Sequence, residues 1–143
     1  MAEANTVAAL RQKVDRYLRE LFGSCDIDAD GDFVIRAGSA VVWIRPIERP
    51  TDGVVVRIWS ITNVGVRVDD ELTKFIATEN AKLLFGVLYL DESRPAVILS
   101  HSLLGEFLNR KELEVGVVAV AEAADDYGDR IKSRFGGVPF GES

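Results

Sequence analysis

The dipeptide Gly38-Ser39 separates two short runs, FVIRA and AVVWI, that are rich in β-branched and aromatic residues. A two-residue link with glycine first suits a type II′ turn, whose twist matches that of antiparallel strands. Such a turn sets the strand register by counting. Ala37 then opposes Ala40, Arg36 opposes Val41, Ile35 opposes Val42, and Val34 opposes Trp43. Strand side chains alternate between faces, so one face carries Phe33, Ile35, Ala40, Val42 and Ile44. That face is apolar without exception and is assigned to the core. The other face carries Val34, Arg36, Val41, Trp43 and Arg45.

A third run, VVVRIWSI, divides the same way. Val54, Val56 and Ile58 suit the core, while Val55, Arg57, Trp59 and Ile61 share the opposite face. Pairing across the 46–52 loop predicts Trp43 beside Trp59 and Arg45 beside Arg57. Tryptophans on opposite faces of the sheet would refute this layout.

The remaining segments frame that meander. In residues 6–22, Val7, Leu10, Val14, Tyr17, Leu18 and Leu21 recur at spacings of three and four, which predicts a helix ended by Gly23. Residues 69–82 predict a second helix, with Asp69, Asp70 and Glu71 in its first turn and Leu72, Phe75 and Ile76 on its buried side. Two strands follow, near 83–90 and 96–102, joined by the turn DESRP. The last helix is expected after Asn109, which with Glu112 forms a capping-box pair; Gly136 and Gly137 stop it. The tail GGVPFGES reads as loose.

The order α-β-β-β-α-β-β-α predicts an α+β fold. Its sheet has five mostly antiparallel strands, and the helices pack on one face. The expectation is one domain over residues 1–143, with an ordered core of about 6–137 and a flexible C-terminal tail. A chain of 143 residues can bury roughly 68–70% of its unfolded surface, so it needs no staples.

Composition narrows the function. A net charge of −6 disfavours nucleic acid and anionic membrane surfaces as partners. No run approaches the roughly 20 apolar residues of a membrane span. The N-terminus is amphipathic rather than signal-like. A single cysteine, Cys25, forms no intrachain disulfide, so the expected setting is a reducing cytoplasm.

Chemistry is sparse. Asp26, Asp28, Asp30 and Gly31 carry the opening spacing of a calcium loop, but the twelfth position, where a bidentate glutamate is needed, is Ala37. An acidic hairpin turn explains the run better. His101 is the only histidine and lies in a strand, so a structural role fits it better than a base or a ligand. Cys25 sits among acidic residues, which oppose thiolate formation. There is no G-x-G-x-x-G, no G-x-x-x-x-G-K-[ST] and no G-x-S-x-G. The expectation is no catalytic residue, no metal and no cofactor.

What remains is a surface. Trp43, Trp59, Arg36, Arg45, Arg57, Val41 and Val55 form the candidate partner-binding set, since tryptophan and arginine are enriched at interface hot spots. Two plainer readings stand beside it. The arginines could stack on and cover the tryptophans, or a terminal segment could cover the face.

The run DGDFVIRAGSAVVWIRPI (30–47) resembles the D-G-D-aromatic, G-S-A and following strand of actinobacterial YbjN-like proteins. ATENAKLLFGVLYLD, with Asn80 before a helix-to-strand switch, resembles their second helix and fourth strand. AEAADDYGDRIKSRFGG looks like their last helix. The likeness covers roughly residues 6–137. It implies the fold of type III secretion chaperones, the TY-Chap grouping, and a homodimer or peptide-binding module without catalytic residues. Parts of that family carry a sensory-transduction-regulator label. The leading expectation is thus a non-enzymatic module of chaperone type that binds a protein or peptide client. The alternative is a regulator acting through self-association.

Overall fold

The structure is a computed structural model and describes residues 5–140. Three helices lie on one face of an antiparallel sheet, as expected. The first helix, α1 (Val7–Phe22), is opened by Thr6, whose Oγ1 accepts from the Ala9 N–H at 3.1 Å. Its stripe buries Leu10, Val14 and Leu18 completely, one residue per turn. Each such burial contributes roughly 1.5–3 kcal/mol.

The strands β1 (Asp26–Ile27), β2 (Phe33–Ala37), β3 (Ala40–Glu48) and β4 (Val54–Val64) follow. Gly38 has φ +62°, and no residue other than glycine has positive φ among those described. Ser39 is therefore not left-handed, which makes the link a II′ rather than a I′ turn. The register is the one counted from the sequence, from Ala37↔Ala40 to Val34↔Trp43. Across the next pair, Trp43 meets Trp59 and Arg45 meets Arg57.

The second helix, α2 (Asp70–Asn80), begins one residue later than expected, because Asp69 is its cap rather than its first turn. The Asp69 carboxylate accepts from the Leu72 N–H at 2.9 Å. Next come β5 (Val87–Asp91), β6 (Ala96–Leu104), α3 (Arg110–Phe135) and β7 (Val138–Pro139). Asn109 and Glu112 close the expected capping box on α3. The sheet order is β1-β2-β3-β4-β6-β5, with β7 attached to β4. β6 inserts between β4 and β5, so those two strands run the same way and α2 is the crossover between them.

Three expectations need correction. Among the described residues the sheet has seven strands, not five. The two additions, β1 and β7, are two residues each, too short for any alternation to be legible. They form because a neighbouring strand offers an edge. The residues read as a loose tail also behave otherwise: Val138 and Pro139 pair with Val64 and Asn63 of β4. Residues 141–143 of that tail lie outside the described residues. Finally, the strand expected from 83 begins at Val87. Leu83–Gly86 is a turn, because Asn80 reaches over it to β5. Its side chain accepts from the Leu88 N–H at 2.7 Å and donates to the Leu88 carbonyl at 3.0 Å. An amide side chain thus takes the place of a neighbouring strand on an otherwise open edge.

The core lies between the helices and the sheet. Phe33, Ile35, Val42, Ile44, Val56 and Ile58 from the meander meet Val117, Val120, Ile131 and Phe135 of α3. The face assigned to the core from parity is the face the helices cover.

Candidate partner-binding face

Opposite the helices, the sheet face is open. Trp43 and Trp59 sit side by side there, with ring centroids 6.1 Å apart and planes 17° from parallel. The pair follows from register alone: both residues have outward parity and oppose each other across β3 and β4.

The three arginines have different fates. Arg45 donates from Nε and an Nη to the two oxygens of Asp32, at 2.6 and 2.7 Å. The Asp32 side chain is 4% exposed and that of Arg45 47%. The hydrogen bond to Asp32, opposed by some burial and helped by the charges of Asp32, Asp30 and Asp28, holds the Arg45 guanidinium more firmly charged than usual. Arg45 also lies 5.2 Å from the centre of the Trp59 ring. Arg57 donates to Ser100 Oγ and to the Tyr89 hydroxyl, both at 3.1 Å, and sits 6.0 Å from the same ring. Arg36 is exposed at the rim, opposite Val41. The expectation that arginines cover the tryptophans is therefore met at Trp59.

Trp43 is covered differently. The Phe140 ring stands edge-on to it at 5.3 Å and 75°. The second plain expectation, cover by a terminal segment, is met here. Val41 is only 8% exposed and lines a small cavity with Pro139 and Phe140. Val41 therefore offers a partner little surface. Val55 is half-buried between Ile47 and Leu104 on the same face.

Some of the face was not legible in the sequence. β6 contributes Ile98, Ser100 and Leu104, and β5 contributes Val87 and Tyr89. Leu104 is 75% exposed and Val87 54%. An open depression of about 120 Å³ lies among Arg57, Trp59, Tyr89, Arg94 and Ile98. The alternation of Ile98, Ser100 and Ser102 was visible, but nothing local names β4 as the neighbour. Asp32 was read only as part of an acidic turn.

The other chemical candidates resolve into structure. Asp28 accepts from the Asp30 and Asp32 N–H groups at 3.0 and 2.9 Å, closing the expected turn. Asp28, Asp30 and Asp32 cluster, but Asp32 is already engaged by Arg45. His101 pairs with Ile58 on the helix face and meets the Phe85 ring edge-on at 5.6 Å. Burial lowers its pKa, which keeps it neutral at pH 7. Burial, together with Asp15, raises the Cys25 thiol, so thiolate is disfavoured.

Among the described residues, no helix is long and apolar enough to cross a membrane. No curated protein matches the chain. Several solved structures share its fold, and three of them illustrate the likeness. One is the ExsC-ExsE complex, at 17% identity and TM-score 0.62, covering 84% of this chain and 94% of that one. Another is the HopA1-SchA chaperone-effector complex, at 12% identity and TM-score 0.64, covering 84% and 94%. The third is YbjN from E. coli, at 12% identity and TM-score 0.63, covering 89% and 96%. The profile of one family, described as T3SS (YopN, CesT) and YbjN peptide-binding chaperone 1, matches residues 8–143. With nearly the whole chain matched, this protein belongs to that TY-Chap1 family of peptide-binding chaperones.

Proposed function

We propose that this chaperone-family protein, which is not an enzyme, holds an extended segment of a protein client against the open sheet face. The observation that carries this reading is the Trp43–Trp59 pair on the sheet surface opposite the three described helices. The pair offers a flat apolar platform. Leu104 and Val87 extend it toward the β6–β5 side, and Arg36 and Arg57 supply donors at its margins. Arg57 is the more useful donor, because its present partners are neutral hydroxyls that exchange readily with water. Arg45 is committed to Asp32. Two of the similar structures are complexes with a protein partner, ExsC with ExsE and a chaperone with an effector. Those partners belong to those proteins; they support the class of client here, not its identity. A reducing cytoplasmic setting belongs to the same reading, supported by the single cysteine.

Affinity capture from the host with wild type and with Trp43→Ala plus Trp59→Ala tests it. Partners held by wild type should be absent from the double variant. An unchanged partner set in a folded double variant removes this face from consideration.

Self-association without a client is favoured by a separate observation. Leu84, Phe85 and Val87 are 92%, 43% and 54% exposed and follow closely in the chain where it enters the edge strand β5. Light scattering across concentration decides it: a strict monomer at high concentration leaves that patch without a second copy.

A further inference from the structure

The last described residues cross from the helix side of the sheet to its open side. α3 ends at Phe135 in the core, and Phe140 lies on Trp43. The passage exists because β3 and β4 part early. Their pairing runs from Glu48↔Val54 to Trp43↔Trp59 and goes no further, although β3 continues back to Ala40. Beyond that point the Ser60 hydroxyl donates to the Val41 carbonyl at 2.7 Å, in place of a backbone pair. The edge of β4 vacated by β3 is taken by β7.

The occupant's ladder is short. It pairs through two residues, and one is Pro139, which has no N–H to give to a ladder. It hangs on Gly136-Gly137, both with positive φ. At Gly137 a Cβ would come 2.5 Å from the Val64 carbonyl oxygen, so only glycine lets the strap turn into the slot. What it presents is nonetheless specific: a short extended stretch on a strand edge, then an aromatic ring on Trp43.

We infer that this notch is a strand slot of the client site, held in the free protein by the chain's own Val138–Phe140. An extended client segment with an aromatic side chain enters by displacing that strap. The inference rests on the open-face reading above and names the partner chemistry at one end of the face. Added strands of this kind take affinity from main-chain pairing and selectivity from side-chain seats. The tethered strap then sets a threshold, since a short flexible tether presents it at millimolar effective concentration. Only segments that pair over more residues, or seat a better ring, pass it.

The test uses the full chain and a labelled octapeptide of its own residues 136–143, GGVPFGES. Gly137→Ala should release the strap without touching either tryptophan. The octapeptide should then bind at least about tenfold more tightly to Gly137→Ala than to wild type. Replacing its phenylalanine with alanine should cost roughly threefold to tenfold. Acrylamide should quench tryptophan fluorescence more strongly in the variant. Equal binding to both proteins, or none to either with the variant folded by circular dichroism, overturns the inference. If Gly137→Ala does not fold, Phe140→Ala decides: it should gain octapeptide binding, and no gain overturns the slot. A concentration-dependent dimer of Gly137→Ala that the octapeptide does not compete also overturns it, in favour of tail exchange between copies. If the octapeptide fails while the double tryptophan variant still loses its partners, the slot falls and the open-face reading stands.

Discussion

Replacing Arg45 with alanine should destabilise the fold, whereas the same change at Arg57 should not. Arg45 is the partner of a carboxylate only 4% exposed, which it meets through two hydrogen bonds at 2.6 and 2.7 Å. Removing it strands a charge inside the protein. Breaking a fully buried pair costs roughly 3–5 kcal/mol. Arg45 itself is half-exposed, so water reaches Asp32 once the guanidinium is gone, and about 2 kcal/mol is the better figure. Loss of the contact with Trp59 adds roughly 0.5–1 kcal/mol. Arg57, by contrast, leaves behind two hydroxyls that water can satisfy, at under about 1 kcal/mol. For a chain of this length, about 2–3 kcal/mol corresponds to a Tm lower by roughly 6–10 °C. Urea unfolding followed by far-ultraviolet circular dichroism measures the difference, with unchanged slopes indicating that stability alone has moved. Adding Asp32→Asn to Arg45→Ala should recover part of the loss, because an amide is cheaper to leave unpaired than a carboxylate. An Arg45→Ala cost below about 0.5 kcal/mol would refute the reasoning and make the pair an ordinary surface contact. The expected loss matters for function, since a destabilised Arg45→Ala cannot serve as a clean binding variant.

Three other expectations concern the frame of the face. The Glu79 carboxyl is held below the usual range, first by the Lys82 hydrogen bond and then by Tyr127 and Arg130, against the opposing effect of burial. Because its folded pKa is depressed, its stabilisation is full above about pH 4.3 and disappears as pH falls through the folded value. The stability gap between wild type and Glu79→Gln should accordingly close in acid, as urea midpoints at pH 7 and pH 3 would read. A gap that stays constant would show that the carboxylate charge is irrelevant. Asn80→Ala should cost about 1–3 kcal/mol and speed amide exchange at Leu88, since it uncovers both backbone groups of an edge strand; unchanged exchange at that amide would contradict the edge-capping role. Gly38→Val should cost roughly 1–3 kcal/mol, because φ is +62° and a Cβ would sit 2.9 Å from Asp125 Oδ2. A melting temperature equal to wild type would mean the hairpin changes turn type freely.

Local chemistry was sufficient wherever the determining contacts lie close along the chain. The Asn109–Glu112 box, the Gly23 stop and the Gly38-Ser39 turn are each set within a few residues. The side-by-side tryptophans are less local: the two-residue turn and the period of two along strands set the face Trp43 takes, and pairing across the loop between β3 and β4 brings Trp59 beside it. Where a contact joins distant segments, that counting stops. Glu79 lies in the last turn of α2 yet is 4% exposed, because Tyr127 and Arg130 from α3 reach it. Its spacing of three from Ile76 and four from Phe75 puts it on the buried stripe, but nothing local names Tyr127 or Arg130 as its partners.

Legible in the sequence were the order of the three helices and the five longer strands, the buried face of the meander and the placement of Trp43, Trp59, Arg36, Arg45 and Arg57 together on the other face. Those follow from periodicity and turn geometry, which act over a few residues. The tertiary structure alone decided what each of those residues is free to do. It put β6 beside β4, gave Asp32 to Arg45, gave Ser100 and Tyr89 to Arg57, and laid Phe140 on Trp43. Cover by a terminal segment was among the expectations, but the individual partners were not legible, because strand neighbours and buried ion pairs depend on which distant segments pack together. The fate of the tail has the same cause: Val138–Pro139 has no strand signal of its own and is ordered by an edge that β4 leaves unpaired.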